Sequence, residues 1–209
     1  MNSNKEFQNL VKEPELKQRK GGVANLILVA LFLEAARMVD DGFDIPSIEA
    51  AAKEAFEIPR GFLSLMDNMG IKIVIDNMSA LADSSNPENP LFQVYNNFFT
   101  PAESCNAILE IYERSNNKLS VKWISEENSG KKPPDFLIID LLLRRFQAVA
   151  FIIASEVVDS GVIELGKVDN LCMTVFHWPE GLFARMNRLG IGEVMRMVIE
   201  RMEHSQERN

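Results

Sequence analysis

Two histidines, His177 and His204, are the only imidazoles in the 209 residues, so a general base working near neutral pH has few places to come from. His177 stands just before Trp178-Pro179, where proline ends a helix, and His204 lies in a polar tail. Packed or solvated roles suit both better than catalysis. Cys105 and Cys172 stand apart, without CxxC spacing or a neighbouring histidine cluster, which indicates neither a disulfide framework nor a zinc site. Nothing in the spacing of Glu34 and Asp67 sets two carboxylates at the separation acid/base work needs. Arg37 and Arg60 would suit a phosphate or carboxylate, although a solvated arginine is the commoner case. Gly130-Lys131-Lys132 lacks the spacing and the following helix of a phosphate loop, and no GxGxxG occurs in the sequence. No catalytic residue, metal ligand or cofactor-binding residue is assigned on these grounds.

The elements that would have to position such residues are legible from a repeat. Gly61-Phe62-Leu63-Ser64-Leu65-Met66-Asp67-Asn68-Met69-Gly70-Ile71 recurs as Gly181-Leu182-Phe183-Ala184-Arg185-Met186-Asn187-Arg188-Leu189-Gly190-Ile191. Pro59 answers to Pro179 at the same offset, and Val74, Ile75 and Met78 answer to Val194, Met195 and Val198. Upstream, Asp40 and Gly42 answer to Asp159 and Gly161 once one residue is inserted in the second stretch before Pro179. A repeat of this length implies two copies of one supersecondary unit.

The order of elements follows. Residues 1–20 read as a polar arm, with only Phe7, Leu10 and Val11 at helical spacing. Val23 to Asp40 reads as a helix apolar on nearly every side, capped at Gly42. Pro46 opens a second helix over Ser47 to Phe56, ended by Pro59. A short helix, Phe62 to Asn68, closes at Gly70, and Ile71 starts an amphipathic one. The second copy repeats this as Phe136 to Asp159, Leu165 to Phe176, Leu182 to Leu189 and Ile191 to Glu203. Between the copies, Thr100-Pro101-Ala102-Glu103 makes a capping box for a helix to about Arg114, and Leu119, Val121 and Trp123 alternate as in a short edge strand. The expected fold is therefore all-α, with two tandem helical units at 21–82 and 136–204, a connecting segment at 83–135 and at most one short strand. Phe62, Leu65 and Met66 are read as core between the units, and the ten methionines as adaptable core filler before acyl-chain pocket.

Composition narrows the partners. A net charge of -8, from 22 basic and 30 acidic side chains, argues against a nucleic-acid surface. The basic Lys17-Gln18-Arg19-Lys20 before the apolar run Val23 to Leu33 superficially resembles a secretory leader. The run is too short to span a bilayer and stops at Glu34, and its counterpart Leu141 to Ile153 carries Arg144, Arg145 and Gln147. A buried core helix accounts for both, and the expectation is a cytoplasmic protein with no membrane partner.

Gly21, Asn25, Glu34-Ala35, Gly42, Pro46, Pro59, Gly61, Phe62, Leu65, Asp67 and Gly70 together resemble the C-terminal domain of 3-hydroxyacyl-CoA dehydrogenases, which is duplicated in the fatty-acid-oxidation multienzymes. The second copy keeps Gly161, Pro179, Gly181, Asn187 and Gly190 but lacks the Glu-Ala pair. The resemblance implies an all-helical domain, of the 6-phosphogluconate dehydrogenase C-terminal-like kind, that lines an acyl-CoA cleft and supplies a dimer or domain interface. In that family hydride transfer belongs to a preceding domain with a GxGxxG loop and a His/Glu pair, and this sequence shows neither. NAD is thus implied only through a partner domain, and the chain alone is expected to be inactive.

Asn25 falls at the family's asparagine near the reacting end of the substrate, and the resemblance makes it a substrate-binding candidate. An amide there would hydrogen-bond a substrate hydroxyl or carbonyl; the plainer alternative is a helix-start asparagine bonding local backbone. The arginine that usually follows it is Leu26 here. Two functions compete: a helical subunit of a β-oxidation-type dehydrogenase system, joined by a separately encoded dinucleotide-binding partner or by a second copy of itself, and a non-catalytic acyl-CoA-binding or assembly protein derived from the same domain.

Overall fold

The computed structural model describes residues 16–81, 91, 93–94, 108, 123–124 and 135–206. Among these it has eight helices and no strand: α1 Leu16–Asp40, α2 Ile45–Phe56, α3 Phe62–Met69, α4 Ile71–Leu81, α5 Phe136–Asp159, α6 Leu165–Val175, α7 Leu182–Leu189 and α8 Ile191–Gln206. The all-α expectation holds for these residues. Of the residues read as an edge strand, Trp123 sits in a bend, followed by Ile124 in irregular backbone, and Leu119 and Val121 lie outside the described residues. Trp123 is buried. The capping box at Thr100 also lies outside the described residues. α1 begins at Leu16, ahead of the apolar run that suggested Val23, so the helix runs straight through Gly21-Gly22.

Two long helices make the centre. α5 packs against α1, α2, α7 and α8, and α1 against α2, α3, α4 and α6. Residues 26–36 of α1 are all buried, which explains an apolar composition on every side: the helix is surrounded by protein. α1 passes the length and composition test for a membrane span, and 78% of that stretch is buried inside the fold. Both long helices end in the same way. Gly42 (φ +88) donates to Val39 O while Phe43 donates to Met38 O, and Gly161 (φ +70) donates to Val158 O while Val162 donates to Val157 O. This is a Schellman stop, in which glycine takes the left-handed position without a Cβ clash.

The two halves match in finer detail. Asp44 and Glu164 are the N-cap residues of α2 and α6. One residue separates Gly42 from Asp44 and two separate Gly161 from Glu164, so the insertion inferred from sequence lies at Val162-Ile163. Glu57 (φ 53) and His177 (φ 56), the non-glycine residues of positive φ among those described, occupy corresponding positions just before Ile58-Pro59 and Trp178-Pro179.

An aromatic seam joins the halves. Phe56 of α2 stacks on Trp178 with ring centroids 4.3 Å apart and planes 22° apart, Trp178 meets Phe176 at 4.9 Å, and Phe62 of α3 meets Phe146 of α5 at 5.1 Å. Beside it Gln147 donates to Ala55 O at 3.1 Å, and Arg185 donates to the same carbonyl and pairs with Glu57 at 3.2 Å. Ala55 O belongs to the last turn of α2, where carbonyls lack helical partners, so two side chains from the second half complete the first half's helix.

Candidate functional site

Each half builds its short helix on a carboxylate. Glu49 of α2 accepts from Leu63 N at 2.9 Å and Ser64 N at 3.2 Å, and also from the Ser64 hydroxyl. In the corresponding place Asp169 of α6 accepts from Phe183 N at 2.8 Å and Ala184 N at 3.0 Å. The free N–H groups and positive dipole of a helix N-terminus attract such a charge. Gly61 and Gly181 are the N-cap residues, and a Cβ at either would overlap the Glu49 or Asp169 carboxylate. The glycines that mark the repeat are thus a packing requirement, so the turn they bound is structural in both halves.

The acidic residues weighed for catalysis are committed elsewhere. Asp67 accepts from Trp123 N at 2.8 Å and Ile124 N at 2.9 Å, pinning the connecting segment to α3. Glu34 is fully buried and receives Arg145 Nε at 2.8 Å on one oxygen and Arg201 Nε at 3.0 Å and Nη2 at 2.6 Å on the other. Arg145 also reaches Asp41 at 2.7 Å, and its guanidinium lies 5.9 Å over the Phe43 ring. Burial alone would raise the Glu34 carboxyl, but the charges of Arg201, Arg145 and Arg37 outweigh it and hold the group below the usual carboxylate range. An anion held this way is a weaker base than an ordinary carboxylate. Arg37, expected to be solvated, is mostly covered and lies 3.8 Å from Glu34, and Arg60 is exposed.

The remaining candidates divide simply. His177 is exposed and holds the left-handed turn before Trp178, and His204 lies 3.5 Å from Asp41 at the edge of the Glu34 cluster. Cys172 is buried, and that burial pushes its thiol up to about 12, far from a nucleophile's range. Cys105 and Gly130-Lys131-Lys132 lie outside the described residues. Among the described residues no group of His, Cys, Asp and Glu could hold a metal ion.

Asn25 is different. It projects from α1 toward α4, where its Nδ2 donates to Asn77 O at 3.5 Å, and its Oδ1 is shielded from water with no hydrogen-bond partner among the described residues. A buried acceptor left open costs about 1–3 kcal/mol, so its retention calls for an explanation. One helical turn earlier, α1 comes so close to Leu91 that a Cβ on Gly22 would strike its side chain. The second half keeps no amide at the corresponding place. In the register that pairs Asp40 with Asp159, Asn25 corresponds to Arg144, which is neutralised by Glu193 of α8 at 2.6 Å.

The same register explains the missing arginine. Leu26 corresponds to Arg145, so the basic residue absent after Asn25 is present in the second half, and it reaches across to Glu34 of the first. Sequence reading missed this pairing because it joins residues of different halves. The signal was there in Arg145 and Arg201, basic residues on helix faces that are otherwise apolar.

Comparison with known proteins bears on the first half. No curated protein and no solved structure matched the chain. Residues 21–100 match the family model for the 3-hydroxyacyl-CoA dehydrogenase, C-terminal domain. Over that stretch, which holds Asn25, Glu34 and both glycines of the α3 turn, the chain carries a helical domain related to the 3-hydroxyacyl-CoA dehydrogenase C-terminal domain.

Proposed function

We propose that this chain is the helical part of a 3-hydroxyacyl-CoA dehydrogenase-type system, made of two copies of one unit, of which only the first offers a substrate contact. The open Oδ1 of Asn25 carries this reading, within the stretch that matches the family model. Asn25 would contact the oxygen-bearing end of an acyl-CoA in a cleft shared with a dinucleotide-binding domain. NAD and the acid/base pair would come from that domain, and Asn25 would orient the substrate for it. The Arg144–Glu193 ion pair supports assigning the second copy a structural role. The reducing compartment suggested by the cysteines fits a cytoplasmic protein.

The test is to follow NADH absorbance with acetoacetyl-CoA, using the chain alone and the chain mixed with dinucleotide-binding domains encoded beside it. Turnover is expected only in the mixture, and Asn25→Ala should lower it by roughly tenfold to a hundredfold with the fold intact. Turnover by the isolated chain would overturn the reading. Tight acyl-CoA binding with no turnover in any mixture would replace it with the non-catalytic alternative.

A further inference from the structure

The amide of Asn25 is fixed in one of its two orientations by a neighbour that can only accept. Its Nδ2 donates to the main-chain oxygen of Asn77, and a carbonyl inside α4 has no proton to give. Turning the amide over would set Oδ1 against that carbonyl, acceptor against acceptor, so the nitrogen stays on the α4 side and the oxygen is left for something else. Nothing on its own helix serves: the residues one turn away on α1 are Gly21, Gly22, Leu28 and Val29, none with a side-chain donor. Oδ1 is shielded from water and unpaired among the described residues, whereas the residue as a whole is only half-buried, which puts the amide at the rim of the contact between α1 and α4.

What this place lacks is a hydrogen-bond donor, and the chemistry of the group that completes it follows. A hydroxyl gives its proton to Oδ1. A ketone oxygen has no proton: it accepts at most the second Nδ2 hydrogen and leaves the buried acceptor as open as before. The corresponding position of the second half selects nothing of the kind, because Arg144 carries donors only and turns them toward Glu193 and Asp140.

We propose that Asn25 makes the first half selective between the two oxidation states of its ligand, holding a 3-hydroxyacyl thioester in preference to the 3-ketoacyl thioester of the same length. This rests on the acyl-CoA reading and adds to it the direction of the preference. The hydroxyl form satisfies a buried acceptor that the ketone form leaves open, as does an acyl thioester with no oxygen on its third carbon. An unmet acceptor of that kind corresponds to a roughly tenfold to hundredfold difference in affinity. The selection is made by an oxygen, so a side chain of the same shape that only accepts would keep it and an apolar one would lose it.

Isothermal titration calorimetry of the full chain, with no nicotinamide cofactor present, can compare 3-hydroxybutyryl-CoA, acetoacetyl-CoA and butyryl-CoA directly. The hydroxyl form is expected to bind roughly tenfold tighter than either of the others, or more. Asn25→Ala, with unchanged far-UV circular dichroism, should bring the three affinities together. Asn25→Asp, which accepts but no longer donates, should keep the hydroxyl form ahead of the ketone form. Equal binding of those two forms by the wild type, or a preference that survives in Asn25→Ala, would overturn the proposal and leave the acyl-CoA reading standing. A preference lost in Asn25→Asp would mean that the amide's donors carry it, which overturns the proposal too. No binding of any of the three would remove the proposal and the acyl-CoA reading together.

Discussion

Glu34 is the residue on which most of the buried polar chemistry converges, because it meets guanidinium groups from α5 and α8 at once. Removing its charge takes from Arg145 and Arg201, which are 9% and 5% exposed, the buried carboxylate they share, leaving Arg145 its pair with Asp41, and breaking a buried pair of this kind costs about 3–5 kcal/mol. Glu34→Gln should therefore show a loss of that order in urea unfolding at pH about 7. The folded carboxyl titrates below its unfolded value of about 4.3, so its contribution is complete above that pH and fades as pH falls through the folded value. The gap between wild type and Glu34→Gln should narrow steadily in acid. A gap independent of pH would mean that the loss comes from packing and not from charge. None of this was visible when Glu34 was weighed only against Asp67, because a carboxylate's partners two helices away leave no mark on its neighbours in sequence.

At the scale of the element, sequence reading did well where local chemistry decides. The helix order, the stops at Gly42 and Gly161 and the short α3 and α7 all follow from proline, glycine and apolar spacing. It failed where a feature is set by something distant, as with the start of α1, which extends through two glycines, and it gave no sign of the Asp67 anchor on Trp123. Gly61 and Gly181 have φ values of -76° and -73°, which suit any residue. They are glycine because a carboxylate lies against them. Gly181→Ala should displace Asp169, strip two N–H groups at the α7 start of their acceptor and lower stability by about 2 kcal/mol in thermal or urea unfolding. Gly166→Ala, in α6 with open space around it, should instead be neutral or stabilising by up to about 1 kcal/mol. Equal effects at the two glycines would show that helix propensity alone accounts for both.

The two halves are joined across a midline as well as each being held within itself. The Phe56–Trp178 stack, the two donors on Ala55 O and the Glu34 cluster all join the first half to the second. Unfolding should accordingly be one transition, with circular dichroism and tryptophan fluorescence coinciding in urea. Trp178→Ala should lower its midpoint by the equivalent of about 3–5 kcal/mol without splitting it. Two separated transitions in the wild type would show instead that each half is stable alone. The candidate site was less legible than the fold. Asn25 could be picked out only by its resemblance, whereas its open oxygen depends on how α1 meets α4, and periodicity does not specify that.

The Arg145–Glu34 pair has a consequence for how the two halves know each other. A symmetric pair of halves would place it twice, but the corresponding positions are Leu26 and Ile153, both fully buried. Two first halves brought together would bury two carboxylates each with only its own Arg37, 3.8 Å away, beside it, and two second halves would bury Arg145 and Arg201 without Glu34. The halves are therefore a lock and its key rather than two interchangeable bricks: pairing unlike with unlike is written into the core.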